Sequence, residues 1–121
     1  MPDNSDFNTP ISYLKEEIDK FVKERGWSKF HTPKNLVQAL NCEAGELSQL
    51  LLFKDYLPED IKKDNKLYQK ISDELADVLI YLISFSNSLD IDVTKSFIQK
   101  MVKNRKKYST VEFNNGNYYK K

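Results

Sequence analysis

This 121-residue sequence has few residues of the kinds that build disulfides, zinc sites or glycine-rich loops. It contains one cysteine, Cys42, one histidine and three scattered glycines. A single cysteine excludes an intrachain disulfide and agrees with a reducing compartment. The usual structural zinc sites need more cysteine and histidine ligands than are present. Three scattered glycines also exclude a glycine-rich phosphate-binding loop.

Neither charge nor hydropathy points to a nucleic acid polymer or a membrane as partner. The 19 lysines and arginines nearly balance the 18 acidic residues, which leaves a net charge of +1. No overall potential therefore attracts a polyanion, and any anion site must be local. No apolar run approaches the ~18 residues that a membrane span needs, and residues 1–10 lack the features of a secretory signal. We therefore expect a cytoplasmic protein.

Hydrophobic residues recur at helical spacing in four segments, and no alternating strand pattern competes with them. The segments begin near Thr9–Pro10, Thr32–Pro33, Asn65 and Val93, and they end near Gly26, Phe53, Leu89 and Tyr108. A threonine followed by proline is a typical helix start. We predict an all-α fold, a compact bundle of four main helices. It forms a single domain over 1–121, with a core over about 9–108 and a tail over 109–121.

Two pairs of acidic residues interrupt the apolar stripes of the second and third predicted helices. Glu43 and Glu46 are three apart in "ALNCEAGELSQLLLF", and Glu74 and Asp77 repeat that spacing in "DELADVLIYLI". Residues three apart share a helix face, and an antiparallel hairpin would place both pairs at similar height. Four close carboxylates repel unless a cation neutralises them. A hard divalent cation such as Mg²⁺, which prefers oxygen ligands, supplies that charge.

Two other interpretations of the acidic pairs have to be weighed. A single Glu-x-x-Glu is usually a pair of solvated acids on a helix surface. Two such pairs at matching depth favour a metal site instead. A di-iron bundle also uses carboxylates, but its motif is Glu-x-x-His, and neither pair contains a histidine. A bound divalent cation would polarise phosphoryl oxygens and position water for attack.

Three stretches of the sequence resemble one known superfamily. They are "GWSKFHTPKNLVQALNCEAGELSQLL", "DELADVLIYLISFSNSLDID" and "KMVKNRKKY". They are similar to the all-α nucleoside triphosphate pyrophosphohydrolases, in the MazG-like branch and nearest to its small dCTP pyrophosphatase type. The resemblance covers about residues 21–108. It implies hydrolysis of a (deoxy)nucleoside triphosphate to monophosphate and pyrophosphate, and a homo-oligomer, either dimer or tetramer, with sites near the subunit interfaces.

The same resemblance implies a set of metal ligands. Mg²⁺ is expected at the positions of Glu43, Glu46, Glu74 and Asp77. Neither the spacing nor the resemblance says which carboxylate positions the attacking water. We take Glu46 as the candidate catalytic residue.

Basic residues near the end of the fourth helix are candidates for phosphate binding. Lys100, Lys103 and Lys107 share one helix face by their spacing. A basic helix end is also expected as a solvated complement to the helix dipole, and the residues alone leave both interpretations open. The resemblance implies a lysine and an asparagine for phosphate, which are Lys100 and Asn104 here, with Arg105 as a further candidate.

Aromatic residues in the loop after the first helix are candidates for base binding. Trp27, Phe30 and His31 could stack a base and read its edge, or they could plug the space between the first two helices. The resemblance implies that Trp27 and His31 line a base pocket. Asn35 is near enough in sequence to add a polar contact.

Two positions outside that loop also bear on the base. Tyr81 lies one turn beyond Asp77 and either faces the same pocket or packs in the core. Phe53 stands where similar proteins often carry tryptophan, which predicts a different or broader base preference.

We therefore predict a Mg²⁺-dependent nucleoside triphosphate pyrophosphohydrolase that cleans the nucleotide pool, with dCTP or a modified dNTP among its substrates. A non-catalytic helical interaction module and a hydrolase of another nucleotide phosphoanhydride remain as alternatives.

Overall fold

The computed structural model describes residues 3–121, and all regular secondary structure within them is helical. The helices are α1 (Ile11–Glu24), α2 (Pro33–Gln49), α3 (Pro58–Lys63), α4 (Asn65–Ser88) and α5 (Val93–Lys107), with a 3₁₀ turn at Ser28–Phe30. From residue 3 to the C-terminus there is no β-strand. These observations confirm the all-α prediction and its four main helices. No helix in this part of the chain is long and apolar enough to cross a membrane.

The two predicted Thr-Pro helix starts behave differently. Thr32 is the N-cap of α2, where its side chain accepts a hydrogen bond from the Asn35 backbone N–H at 3.3 Å and Pro33 takes the first helical position. At α1, Pro10 itself is the N-cap and no side chain caps the helix. The Thr9 hydroxyl donates to the neighbouring Asn8 side chain instead, so the predicted Thr9 cap is wrong.

The helix α2 ends at Gln49, earlier than the predicted Phe53. Residues 50–53 continue as turns, and Phe53 has a φ of 59°. That left-handed conformation is uncommon for a residue with a side chain, and it is incompatible with a continuing α-helix.

The short helix α3 lies in a segment where the sequence predicts a break. Pro58 occupies its first turn, and the Asp60 side chain accepts a hydrogen bond from the Leu57 backbone N–H at 2.9 Å. Proline at a helix start with an acidic residue two positions later is a helix-start signal. The segment "LPEDIKK" therefore contains a helix-start signal within the predicted break.

The helix α4 is the centre of packing in the part of the chain up to Asp90. It packs most extensively against α2, then against α1 and α3. One hydrophobic residue from each of three helices is buried there: Val22 of α1, Leu36 of α2 and Ile83 of α4. Because α2 and α4 carry the two acidic pairs, the most extensive helix pairing also brings those pairs close.

Contacts divide the chain into two compact units, one up to Asp90 and one over Ile91–Lys121. The second unit contains α5 and an ordered C-terminal segment. The Phe113 ring lies 5.4 Å from that of Tyr108 and 4.8 Å from that of Tyr119, between ring centroids. Glu112 accepts hydrogen bonds from Tyr119 and from the Lys121 ammonium. The single domain with a core over about residues 9–108 stays a prediction.

Candidate active site

The helices α2 and α4 bring three of the four predicted metal ligands together. One carboxylate oxygen from each of Glu43, Glu46 and Glu74 lies within 4.8 Å of the others. Oxygens on opposite sides of one Mg²⁺ ion are ~4.2 Å apart, since each Mg–O bond is about 2.1 Å. A small adjustment of these side chains would therefore let them share one ion.

Two carboxylate oxygens in this cluster have no hydrogen-bond partner within the described part of the chain. They are Glu43 Oε2 and Glu74 Oε2, and both are buried from solvent. A buried polar atom without a partner is unfavourable, and a buried charge more so. Because the donor set is made only of carboxylate oxygens, these residues fit a hard divalent cation.

Crowding of the acidic groups raises the pKa of two of them. The pKa of Glu43 rises to about 7, first through a hydrogen bond to the Glu46 carboxyl, then through burial and the charges of Glu46, Asp77 and Glu74. Burial first, and then the charge of Glu46, raises the pKa of Glu74. The metal-free cluster therefore retains a proton near neutral pH, which a binding cation would displace.

The fourth predicted ligand, Asp77, lies beside the cluster and not within it. It is half-buried on α4, one turn after Glu74, and its charge contributes to the raised pKa of Glu43. Asp77 and Glu43 both line a neighbouring cavity. Asp77 is therefore placed to face both the acidic cluster and whatever the cavity holds.

A cavity of about 580 Å³ opens next to the acidic cluster. Three of the predicted base-binding residues, Trp27, His31 and Tyr81, form part of its wall together with Glu43 and Asp77. Its volume lies within the ~300–1,000 Å³ typical of small-molecule sites. The wall therefore combines carboxylates next to the acidic cluster with aromatic rings, and we call these two groups of residues the acidic end and the aromatic end.

Six residues of α1 and Arg25, which follows that helix, also line this cavity, and the sequence interpretation missed them. Among them, Phe21 and Arg25 contact each other. The Arg25 guanidinium carbon lies 3.7 Å from the centroid of the Phe21 ring, and Arg25 Nη1 donates to the Phe21 carbonyl at 3.0 Å. The Phe21 ring in turn meets Trp27 edge to face, with centroids 5.8 Å apart. The available signal was the spacing of four between Phe21 and Arg25 in the last turns before the aromatic loop.

Two predicted base-binding residues do not line the cavity. Asn35 uses its side-chain N–H to hold the Phe30 carbonyl at 3.0 Å, so it ties the start of α2 to the aromatic loop. Phe53 is 97% exposed beyond the end of α2. Their roles in base binding stay predictions.

The predicted phosphate-binding residues Lys100, Asn104 and Arg105 lie on α5, in the second unit. Asn104 is half-buried, and Lys100 and Arg105 are exposed. The last turn of this helix carries three consecutive basic residues, Arg105, Lys106 and Lys107. Phosphate binding by these residues stays a prediction.

Comparison with known proteins gives a consistent set of relatives. Residues 39–121 match the model of the MazG-like family. This matched range contains all four predicted acidic ligands. Over 90 residues the chain is 39% identical to dCTP pyrophosphatase 1 of Rattus norvegicus and 37% identical to that of Homo sapiens. Each alignment covers 74% of this chain and 53% of the relative, so the chain spans about half the length of these relatives.

A solved structure gives a fuller match to the fold. The crystal structure of a pyrophosphatase from Archaeoglobus fulgidus DSM 4304 is similar with a TM-score of 0.74 and 28% sequence identity. The match covers 90% of this chain and 98% of that chain.

Proposed function

Because this chain belongs to the MazG-like family, we propose that it hydrolyses a (deoxy)nucleoside triphosphate to the monophosphate and pyrophosphate and so cleans the nucleotide pool. The observation that carries the proposal is the acidic cluster, with two unpartnered buried oxygens, next to a cavity of nucleoside size. Relatives named dCTP pyrophosphatase make dCTP, or a modified dNTP, the first substrate to test.

The metal of this proposal is Mg²⁺, held by Glu43, Glu46 and Glu74 with Asp77 beside them. All of these side chains offer only carboxylate oxygens, the ligands that Mg²⁺ prefers, and the ion commonly keeps sites for substrate phosphates. When bound, Mg²⁺ would neutralise the triphosphate and polarise its oxygens. The carboxylates would hold the ion in place, and the proton on Glu43 would leave when the ion binds.

We assign the attacking water to Glu46, because it is the solvent-exposed member of the cluster. Its carboxylate accepts a hydrogen bond from the water and takes the proton as the water oxygen bonds to the α-phosphorus. The bond from the α-phosphorus to the bridging oxygen breaks, and pyrophosphate leaves with that oxygen. The reaction then gives one monophosphate and one pyrophosphate for each water consumed.

The aromatic end of the cavity holds the base in this proposal. Trp27, Tyr81 and Phe21 supply ring surfaces, and His31 supplies polar ring nitrogens at the wall. Asn35 acts by fixing the loop that carries Trp27 and His31, through its hydrogen bond to the Phe30 carbonyl. Lys100, Asn104 and Arg105 are proposed to bind the phosphates.

We also propose a homo-oligomer, a dimer or a tetramer. The helix α4 leaves Leu75, Leu79 and Leu82 between 39% and 57% exposed. Their spacing of four and three places them on one helix face. A continuous exposed apolar face is typical of an interface, and a second copy of the chain would cover it. Phe53 is 97% exposed in the single chain, and we propose that it contacts the base across such an interface.

The oligomer is tested by the mass of the purified protein in light scattering across a range of concentrations. A monomer at high micromolar concentration would contradict it. The cytoplasmic location stays a prediction from the sequence.

The reaction is tested by incubating a panel of nucleotides with the protein and Mg²⁺ and resolving all products. Monophosphate plus pyrophosphate is the expected result. Release of orthophosphate would instead support a hydrolase of another nucleotide phosphoanhydride. A folded protein that binds Mg²⁺ but turns over no nucleotide would support a non-catalytic helical interaction module.

A further inference from the structure

Three serines near the end of α4 differ in how their hydroxyls are satisfied. Ser86 Oγ donates to the Ile83 carbonyl and Ser88 Oγ donates to the Phe85 carbonyl, each at 2.7 Å. Such bonds to the preceding turn are the usual arrangement for serine inside a helix. Ser84 is 6% exposed, yet its hydroxyl has no hydrogen-bond partner among residues 3–121.

The unpartnered hydroxyl lies at the meeting point of two cavities. Ser84 lines the cavity of about 580 Å³ and also a second cavity of about 170 Å³. Ile18, Val22 and His31 line both cavities as well, so the two adjoin along this wall. The wall of the second cavity is the more polar of the two, and Ser28 and Asn87 are among its lining residues. Ser84 is therefore a buried residue in the wall that the two cavities share, and its hydroxyl is satisfied neither by the described protein nor by open solvent.

The position of Ser84 along α4 also matters. Asp77, next to the acidic cluster, precedes it by seven residues, which is ~10.5 Å along a helix. A nucleotide whose phosphates lie at the acidic cluster would extend its base over a distance of that order. Ser84 and His31 thus bound the end of the cavity that the base edge would reach.

The free-energy cost of burying an unpartnered hydroxyl indicates that the Ser84 hydroxyl hydrogen-bonds to a ligand. A buried hydroxyl without a partner is destabilising, and a serine in a helix can remove the cost by bonding to the preceding turn, as Ser86 does. In ligand sites, a few polar groups in a mainly apolar wall fix the orientation of what binds. The arrangement at Ser84 matches that pattern.

We propose that Ser84 is a specificity-determining residue whose hydroxyl hydrogen-bonds the edge of the nucleobase. This inference rests on the proposed function. A hydroxyl both donates and accepts, so it can pair with a base edge that presents an amino group beside a ring nitrogen, as cytosine does. A site built around such a bond discriminates against a base that lacks the matching group, because the polar atom is then left unpaired.

The test compares Ser84→Ala with Ser86→Ala as the matched control. For each variant we would measure kcat/KM for dCTP and for dUTP and dTTP, which differ from it at the base edge. Ser84→Ala should lower kcat/KM for the preferred nucleotide about tenfold and shrink its preference over the others by a similar factor, the loss of one hydrogen bond. Ser86→Ala should leave that preference unchanged.

Stability distinguishes a recognition role from a structural one. Ser84→Ala should leave the midpoint of thermal unfolding unchanged or raise it, because its hydroxyl has no internal bond to lose. Ser86→Ala should lower the midpoint, because its bond to the Ile83 carbonyl is removed. Loss of stability in Ser84→Ala with an unchanged nucleotide preference would overturn the proposal.

Binding separates this inference from the reaction itself. Trp27 is the single tryptophan of the sequence and lines the cavity, so its fluorescence reports nucleotide binding without turnover. If the wild-type chain hydrolyses nothing, a tenfold weaker binding of dCTP by Ser84→Ala still supports the role of Ser84. If the wild-type chain hydrolyses dCTP and Ser84→Ala shows the same preference, the hydroxyl holds only water and this inference fails while the reaction stands.

Discussion

The two ends of the large cavity are stabilised in opposite ways. At the acidic end, Glu43 and Glu74 keep unpartnered buried oxygens and share a proton with their neighbours. At the aromatic end, Arg25 is already hydrogen-bonded to the Phe21 carbonyl and stacked on the Phe21 ring. The acidic end is therefore complete only with a cation, whereas the aromatic end is ordered in the free chain. Changes at the first should affect chemistry and metal binding, and changes at the second should affect affinity.

The largest effect is expected at the acidic end. Glu46→Gln should reduce kcat by about a hundredfold or more, since a positioned base typically contributes 10²–10⁴-fold. Asp77→Asn should also reduce kcat strongly, because it removes a negative charge beside the proposed metal site. The temperature of thermal unfolding should not fall, because each substitution keeps the size of the side chain and removes a charge that repels its neighbours. Glu16→Gln, an exposed acid of α1 outside the cavity, is the control and should be fully active. Normal turnover by either variant would show that the active site lies elsewhere.

A smaller effect is expected at the aromatic end. Trp27→Ala should raise KM for the preferred nucleotide about tenfold and change kcat less, since loss of a stacking ring costs ~1–3 kcal/mol. Phe30→Ala is the matched control, because Phe30 belongs to the same loop but does not line the cavity. Equal effects of the two substitutions would mean that the whole loop matters and not the ring of Trp27.

The free energy of unfolding should depend on pH because of the proton retained by Glu43 at the acidic end. The folded pKa of Glu43 is about 7, against an ordinary value of 4.5, so only the folded chain keeps this proton between those values. The stability it contributes is complete below about pH 4.5 and is lost as the pH rises through 7. Denaturant unfolding of the metal-free protein from pH 4 to 8 would measure this loss. Glu43→Gln should flatten the curve, and an unchanged slope would contradict the shared proton.

The same proton couples metal binding to pH. Added Mg²⁺ must displace it, so the rise in unfolding temperature with Mg²⁺ should be larger at pH 8 than at pH 6. Thermal unfolding with and without Mg²⁺ at both values would measure the difference. An equal rise at both values would mean that the ion binds away from Glu43.

The smallest effect is expected for the pre-ordered cation of the aromatic end. Arg25→Ala should lower the free energy of unfolding by ~0.5–1 kcal/mol, as for a partly exposed cation over an aromatic ring. Denaturant unfolding measures it, with Glu16→Ala, an exposed side chain of α1 outside the cavity, as the control. A loss several times larger would mean that Arg25 supports the fold of α1 and not only the Phe21 ring.

The acidic end could be predicted from the sequence, and so could Trp27, His31 and Tyr81 of the aromatic end, whereas Phe21 and Arg25 could not. Glu43, Glu46 and Glu74 lie in helices whose spacing of three decides which residues share a face. Phe21 and Arg25 join the cavity only because α1 packs on α4, which is a tertiary contact that no local pattern specifies. Trp27 and His31 were found because they form the aromatic cluster of a loop.

Other differences have equally local causes. The helix α2 ends at Gln49 although its hydrophobic pattern continues to Phe53, and the left-handed φ of Phe53 is incompatible with a helix through that residue. The Asn35 side chain donates its hydrogen bond to the Phe30 carbonyl, and its position near the loop in the sequence did not reveal this bond. Ser84 could not be distinguished from Ser86 in the sequence, because only the folded helix shows which hydroxyl bonds to the preceding turn.

The interior of the part of the chain up to Asp90 has a further consequence. Among residues 3–90 the buried hydrophobic residues are Val22, Leu36 and Ile83 alone, so amide hydrogens should exchange slowly with solvent only where α1, α2 and α4 meet. If a second copy covers the leucine face of α4, slow exchange should spread along that helix as the protein is concentrated. The melting temperature should rise with concentration in the same experiments, because association is then part of folding.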